Sequence, residues 1–86
     1  MHQVLLTDSA LRFYERAERS LQLRLDRCFE QLRANPHAHP NIKRLKGKLS
    51  GRFRYRVGDY RVIYRLEEGE RVVIILLIEH RSEVYQ

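Results

Sequence analysis

Side chains alternate between basic and apolar or aromatic types over residues 52–57, and a second alternating run covers residues 60–66. Gly58 and Asp59 separate the runs, and a two-residue loop of this kind is typical of a β-hairpin. The loop length fixes the register, because a shift of one residue would move every side chain to the other face. The pairs predicted for a core-facing side are Val57 with Tyr60, Tyr55 with Val62 and Phe53 with Tyr64; the pairs predicted for a basic side are Arg56 with Arg61, Arg54 with Ile63 and Arg52 with Arg65.

Basic residues are concentrated around this hairpin. Residues 43–61 include eight basic residues and one acidic residue, whereas the whole chain has 17 basic and 11 acidic residues and a formal net charge of +6. The rest of the chain is therefore close to neutral. A folded patch of this charge density attracts polyanions and releases counterions from a phosphate backbone. The pattern indicates nucleic acid as the first partner to consider, and a solvated basic surface is the alternative.

The predicted register places like charges opposite each other, which destabilises a sheet. An anion bound between the arginines would explain the pattern, and arginine suits this role because its planar fork can hold two phosphate oxygens. The alternative is that the arginine stems lie flat on the sheet while their heads pair with acidic side chains, namely Glu15, Glu18 or Glu30.

The remaining segments predict an α+β fold, in which an N-terminal strand and a helical hairpin pack on a small, mainly antiparallel sheet. Residues 3–6 are of strand type, and a helical region with its apolar residues in one phase follows until Pro36 ends it. One straight helix of that length would span roughly 39 Å, which exceeds the diameter of roughly 31 Å expected for the chain. We therefore predict a break near Ser20. The apolar residues 72–78 are predicted to form a strand inside the sheet.

Length and composition narrow the class of protein. A chain of 86 residues with 43% hydrophobic content predicts one folded domain over residues 1–86. Its longest apolar run has seven residues, too few for a membrane span, and Asp8 interrupts any signal peptide, so a cytoplasmic protein is expected. Cys28 is predicted to be a core residue because it lies in the apolar stripe of the helix. His37 and His39 have no third ligand nearby in the sequence, so no metal site is expected.

Three polar residues near the end of the chain could supply chemistry that the arginines of the hairpin lack. Cleaving RNA needs a base for the 2′-hydroxyl, charge stabilisation on the phosphorane and an acid for the leaving 5′-oxygen. His80, Arg81 and Tyr85 have side chains suited to these tasks, since histidine titrates near neutrality and tyrosine can exchange a proton when positive charge is close. Two of them also fit a structural role: His80 could be a surface residue at a strand end, and Tyr85 could be a packing aromatic.

Four segments together resemble the RelE/ParE superfamily of bacterial toxin–antitoxin toxins, and specifically its RelE-type branch. They are LRANP, IKRLKGKLSGRFRYRVGDYRVIYRL, VVIILLI and EHRSEVY. The resemblance covers nearly the whole chain, and GRFRYRVGDYRVIY followed by HRSEVY is its specific part. It implies a small antiparallel sheet carrying two N-terminal helices, in a toxin that enters the ribosomal A site and cuts the bound mRNA without a metal ion or another cofactor.

The resemblance also implies roles for individual residues. Arg61 matches the phosphate-stabilising arginine of the family and Tyr85 its C-terminal tyrosine, while Arg81, or His80 beside it, stands at the position of a second catalytic arginine or histidine. Arg54 stands where relatives can carry a lysine, and because arginine barely deprotonates, His80 or Tyr85 would take more of the proton transfer. The implied catalytic set is Arg54, Arg61, His80, Arg81 and Tyr85, and the implied RNA-binding set is Lys43, Lys46, Lys48, Arg52 and Arg56.

The implied partners are the ribosome with its mRNA and a cognate antitoxin protein whose acidic segment crosses the arginines. The toxin–antitoxin complex is expected to bind operator DNA. Two other functions stay open. A ParE-like toxin would inhibit DNA gyrase without nuclease chemistry, and in a plain nucleic-acid-binding module the substitution Tyr85→Phe should leave every activity unchanged.

Overall fold

The computed structural model describes residues 1–81, apart from the side chain of Glu68, and in this part of the chain two helices pack on a five-stranded mixed sheet. The strands are β1 (Gln3–Leu6), β2 (Ile42–Arg44), β3 (Arg52–Val57), β4 (Tyr60–Glu67) and β5 (Val72–His80), and the helices are α1 (Asp8–Arg16) and α2 (Arg19–Ala34). The strand order is β1-β5-β4-β3-β2, with β1 parallel to β5 and the other neighbours antiparallel. The predicted α+β class is confirmed.

Thr7 begins α1 and fastens it to the sheet. Its hydroxyl accepts a hydrogen bond from the backbone N–H of Ala10 (3.3 Å) and donates one to the carbonyl of Leu76 in β5 (2.7 Å). The first bond is a helix N-cap, which satisfies one of the free N–H groups of the first turn. Neither α1 nor α2 is long and apolar enough to cross a membrane.

The break between the helices precedes its predicted position near Ser20. Helix α1 ends at Arg16, and the two residues that follow have extended backbone before α2 begins at Arg19. Two side chains of α2 close the hairpin at this point. Gln22 Nε2 donates to the carbonyl of Tyr14 (2.8 Å), and the Tyr14 hydroxyl donates to Asp26 (2.7 Å). Because the carbonyl of Tyr14 is satisfied from α2, the first helix can stop earlier than its apolar pattern suggests.

The core lies between the helices and the face of the sheet that they cover. Its side chains with no exposed surface include Leu25, Leu32, Val62, Tyr64, Val73 and Ile75. The core face predicted for the hairpin is confirmed. Cys28 is also buried, as predicted, and burial raises the pKa of its thiol. The Tyr64 hydroxyl donates to the carbonyl of Pro36 (2.8 Å), which ties the loop after α2 to the sheet.

Strand β5 lies inside the sheet, as predicted, and has a β-bulge at Leu76. Ile63 pairs with Leu77 and Tyr64 pairs with Ile75, so Leu76 is an extra residue with no partner on β4. Beyond the bulge the alternation of side chains is shifted by one residue, and Glu79 lies opposite Arg61 while His80 lies opposite Tyr60. The bulge thus decides which face of the sheet receives the last residues of β5.

Candidate nucleic-acid interface

The face of the sheet opposite the helices, called the open face here, carries the arginines predicted for it. Every predicted pair of the β3–β4 hairpin is confirmed, including Arg56 opposite Arg61 and Arg52 opposite Arg65. Lys43 of β2 pairs with Arg54 of β3, so positive charge extends to the edge of the sheet. The folded register therefore holds like charges side by side, which is unfavourable unless an anion lies between them.

A cleft of about 290 Å³, called the arginine cleft here, opens among these side chains. It is lined by Lys43, Leu45, Arg54, Arg56, Gly58, Asp59, Tyr60, Arg61 and Arg81. Five of these nine residues are cationic and one is acidic. A concave surface of one charge sign focuses the electrostatic potential and raises the local concentration of ligands of the opposite sign.

Arg61, which lines this cleft, has an unsatisfied hydrogen-bond donor. Its Nε is buried and has no hydrogen-bond partner among the residues that the structure describes. Nearly all buried polar atoms in folded proteins have a partner, and leaving a donor unsatisfied costs about 1–3 kcal/mol. No carboxylate in the described part of the chain forms an ion pair with Arg61. An anion from outside the chain that enters the cleft would balance the charge of Arg61.

Neighbouring backbone groups hold two further arginines in place. Arg54 Nη1 donates to the carbonyl of Asn41 (2.9 Å), and Arg56 Nε donates to the carbonyl of Gly58 (3.2 Å). Burial lowers the pKa of Arg54, and the charges of Arg61 and Arg56 lower this pKa further. Arg54 nevertheless stays a cation at neutral pH, since the ordinary pKa of arginine lies far above neutrality. These side chains form a preorganised set of repelling cations.

Arg81 reaches the cleft from the end of β5. Its backbone N–H donates to the carbonyl of Asp59 in the β3–β4 turn (2.8 Å), and its Nε lies 3.9 Å from Asp59 Oδ1. The structure thus brings Arg54, Arg61 and Arg81 of the predicted catalytic set into one cleft. The sequence predicts Asp59 only as a turn residue, because its position beside Arg81 depends on where β5 ends, and the hairpin register does not give that.

His80 does not line the arginine cleft. It lies on the helix-facing side of the sheet, where its ring makes an edge contact with Tyr60 at 5.1 Å between centroids and an angle of 87°. The bulge at Leu76 is the reason, since uninterrupted alternation from Ile75 would place His80 on the open face. Tyr85 lies outside the described residues.

The five residues of the predicted RNA-binding set are all exposed. Lys43 and Arg56 line the arginine cleft. Arg52 lines a neighbouring hollow on the open face, and Lys46 and Lys48 belong to the connector between β2 and β3. Lys43 and Arg56 could thus contact a polyanion in the cleft directly, and the other three lie on β3 or in the connector that precedes it.

Of the acidic residues proposed as alternative partners of the arginines, Glu15 and Glu30 lie on the helices and Glu18 lies between them. Glu30 pairs with Arg33 of its own helix. Within the described residues, neither Glu15 nor Glu18 forms an ion pair with an arginine of the cleft. The helices cover the opposite face of the sheet, which accounts for this separation.

The two histidines of the loop after α2 contact other rings. His39 stacks on Tyr55 at 5.2 Å between centroids, and its Nδ1 accepts a hydrogen bond from the backbone N–H of Asn41 (3.1 Å). His37 makes an edge contact with His2 at 6.1 Å. Over residues 1–81, no three histidine, cysteine, aspartate or glutamate side chains lie close enough together to hold a metal ion. These contacts attach the loop to the sheet and to the N-terminus.

A family model described as the ParE toxin of type II toxin–antitoxin systems matches residues 4–85. The chain belongs to this family of toxins. Toxin RelG of Mycobacterium tuberculosis is 39% identical to it over 44 residues, which are 51% of this chain and 51% of RelG. The toxin described here therefore spans about half the length of this curated relative in the alignment.

Solved structures share the fold of this toxin over nearly its whole length. The RelBE2 toxin–antitoxin complex of Mycobacterium tuberculosis superposes with a TM-score of 0.80 at 27% identity, covering 93% of this chain and 98% of the matched chain. The RelE–RelB complex of Pyrococcus horikoshii gives 0.81 at 23% identity, covering 94% and 96%. The isolated RelE toxin of Escherichia coli gives 0.80 at 19% identity, covering 99% and 92%. The predicted RelE-like fold is confirmed.

Proposed function

We propose that this toxin is a metal-independent endoribonuclease that cleaves mRNA on the ribosome and so inhibits translation. The observation that carries the proposal is the arginine cleft, in which five of nine lining residues are cations and Arg61 forms no ion pair with a described carboxylate. A phosphate of RNA offers the paired oxygens that guanidinium groups bind best. Similarity to RelG and to the RelBE2 complex supports a RelE-type activity.

The proposed reaction is an attack by the 2′-hydroxyl on the adjacent phosphate. The 2′-oxygen bonds to phosphorus while the bond from phosphorus to the 5′-oxygen breaks, which leaves a 2′,3′-cyclic phosphate and a 5′-hydroxyl. One proton leaves the 2′-hydroxyl and one reaches the 5′-oxygen, and negative charge builds on the phosphorane between them. Arg54, Arg61 and Arg81 would stabilise this charge, and each preorganised donor of this kind can contribute a factor of about 10²–10³.

Proton transfer is assigned to a smaller set of groups. Arg54 stays charged and so is a poor base. Tyr85 is the proposed proton carrier that follows Arg81 in the chain. His80 lies on the other face of the sheet, so it could exchange a proton with RNA only where the RNA passes around the end of β5. The cleft would thus act chiefly through electrostatic stabilisation.

The ribosome would supply the geometry that a cleft of cations lacks. Alignment of the 2′-oxygen with the phosphorus is worth several orders of magnitude in effective concentration. The exposed basic residues Lys43, Lys46, Lys48, Arg52 and Arg56 would bind the ribosomal and messenger RNA backbones around the cleft. Because ribosomes are the site of action, the toxin would work in the cytoplasm.

A cognate antitoxin is the second proposed partner. The similar structures from Mycobacterium tuberculosis and Pyrococcus horikoshii are complexes of a toxin with its antitoxin. An acidic antitoxin segment across the arginine cleft would balance the charge of Arg61 and relieve the repulsion among the arginines. The same segment would block access of RNA to the cleft. The resulting complex is proposed to bind operator DNA.

Primer extension on mRNA held in ribosomes tests the nuclease proposal. We expect cleavage in the A-site codon by the natural toxin, and a loss of about a hundredfold or more in Arg61→Ala. Tyr85→Phe should also lose most activity. Arg27→Ala removes an exposed arginine of α2 far from the cleft and is the matched control. Equal cleavage by Arg61→Ala and the control would reject the proposed role of the cleft.

The description of the matched family as ParE favours a second candidate, which is inhibition of DNA gyrase without cleavage of RNA. Cells that express the toxin can distinguish the nuclease from the gyrase inhibitor. Intact mRNA together with gyrase-dependent DNA breaks, at toxin levels that arrest growth, would support the gyrase candidate. A non-catalytic nucleic-acid-binding module would show neither effect and would not respond to Tyr85→Phe.

A further inference from the structure

A second concavity, of about 770 Å³, lies on the helix-facing side of the sheet, at the same end as the arginine cleft. We name it the helix-side groove and define it by six of its lining residues, which are Arg12, Phe13, Arg16, Arg24, Tyr60 and His80. It is larger than the arginine cleft, and His80 is the residue among these six for which a role is proposed above.

The helix-side groove has an excess of positive charge. Its three arginines come from α1 and α2 and are exposed, whereas Glu18 is the acidic residue among the lining residues. Among residues 1–81, none of the three arginines forms an ion pair with a described carboxylate. A groove of this sign attracts a polyanion in the same way as the arginine cleft.

Three aromatic rings follow one another along the groove. Phe13 contacts Tyr60 edge to face at 5.7 Å, and Tyr60 contacts His80 at 5.1 Å. All three are partly exposed. Aromatic rings interleaved with arginines are the combination by which proteins hold single-stranded nucleic acid, since rings stack with bases while cations follow the backbone.

The groove and the cleft meet at the β3–β4 turn. Tyr60 lines both, and along β5 His80 in the groove is followed directly by Arg81 in the cleft. Arg24 packs against Gly58 so closely that a Cβ atom there would overlap its guanidinium, and the φ of +57° at Gly58 also favours glycine. Positive charge thus continues from the helices around the end of the sheet into the cleft.

We propose that the helix-side groove binds a single-stranded segment of the same RNA chain that occupies the arginine cleft. Arg12, Arg16 and Arg24 would hold phosphates, and the aromatic rings would hold a base. The strand must turn around the end of a sheet between two opposite faces, which a flexible single strand can do and a stiff duplex cannot. This inference rests on the proposed function only in taking RNA as the ligand. An acidic protein segment is the competing occupant, and the continuity with a phosphate-binding cleft favours RNA.

Binding of a labelled single-stranded RNA of about 12 nucleotides to the full chain, without ribosomes, tests this inference by fluorescence anisotropy. The groove variant is Arg12→Gln with Arg16→Gln, and the control of equal net charge is Arg19→Gln with Arg27→Gln, two exposed arginines that do not line the groove. We expect the groove variant to bind about tenfold more weakly and its salt slope to fall by about 1.4, for two lost phosphate contacts. The control should change binding less than about twofold. His80→Ala should weaken binding about fivefold at an unchanged salt slope.

Several results would reject the groove as an RNA site. Equal losses in the groove variant and the control would show an effect of net charge alone, and equal losses for single-stranded and duplex RNA would show attraction to any phosphate backbone. A groove variant that keeps its affinity for RNA but loses affinity for a synthetic acidic peptide would assign the groove to a protein partner. Because no ribosome is present, the outcome is separate from that of Arg61→Ala in primer extension.

Discussion

Arg61 is the residue at which binding and stability are in conflict. Its buried Nε without a partner and the neighbouring charges of Arg54 and Arg56 raise the free energy of the unliganded fold. An anion in the cleft would offset the repulsion between these charges. The unliganded toxin is thus expected to be less stable than its sheet and core would otherwise allow, and its bound states more stable.

Replacing Arg61 with methionine should therefore stabilise the unliganded toxin. Methionine keeps much of the stem volume and removes the buried donor and the repulsion, so the free energy of unfolding should rise by about 1 kcal/mol. Urea unfolding in a buffer of low ionic strength without phosphate or sulfate would measure the change. Added phosphate should stabilise the natural toxin more than Arg61→Met. A lower free energy of unfolding for Arg61→Met would show that Arg61 supports the fold rather than straining it.

Among the secondary-structure elements, β5 depends on a contact from outside the sheet. The Thr7 hydroxyl caps α1 and donates to the carbonyl of Leu76, the extra residue of the bulge. Thr7→Val removes both hydrogen bonds and should lower the free energy of unfolding by about 1–2 kcal/mol. Thr7→Ser keeps the hydroxyl and should lose less than half as much. If the two variants unfold at the same urea concentration, the hydroxyl does not anchor the bulge.

The elements also differ in how much of them the sequence determines. The β3–β4 hairpin is predictable to the residue, because the two-residue loop at Gly58 and Asp59 leaves one register that buries Phe53 and Tyr64 together. The bulge is not predictable in the same way. Strand β5 is apolar on both faces around Leu76, so no change of polarity along the sequence marks the extra residue.

The residues of the candidate site likewise fall into two groups, those whose positions the sequence predicts and those whose positions depend on the bulge. The Arg54 and Arg61 positions follow from the hairpin register, and the sequence places both on one face. The positions of His80 and Arg81 follow from the bulge, and simple alternation would give His80 the wrong face. The break before α2 also precedes its predicted position near Ser20, because a side-chain hydrogen bond from Gln22 to the carbonyl of Tyr14 leaves no signature in the apolar periodicity.

For the molecule as a whole, we expect a loss of stability at alkaline pH, because one thiol and two phenol groups are buried in the fold. Burial raises the pKa of Cys28, Tyr55 and Tyr64 above their ordinary values. The unfolded chain therefore releases these protons at lower pH than the folded chain. Their contribution to stability is complete below the unfolded pKa values. It is lost as the pH rises from the unfolded towards the folded pKa values, and the loss begins near pH 8.5 for the thiol and near pH 10 for the phenols.

Urea unfolding between pH 7 and pH 11 would test this expectation. The free energy of unfolding should fall by up to about 1.4 kcal/mol per pH unit for each group that titrates in the unfolded chain alone. Cys28→Ala should flatten the part of the curve between about pH 8.5 and pH 10, although it lowers stability throughout because it leaves a small cavity. An unchanged slope in this variant would mean that the thiol ionises equally in both states.

The extra residue in β5 has a consequence for how relatives of this toxin are compared. Deletion or insertion of a single residue in β5 would exchange the neighbours of Glu79 and His80. Each of these side chains would then lie on the opposite face of the sheet. Residues that are aligned in sequence at this C-terminal end can therefore have side chains on different faces of the sheet. From Leu76 onward, family members are better aligned by the face of the sheet on which each side chain lies. A one-residue gap in this region changes which side chains can reach the arginine cleft.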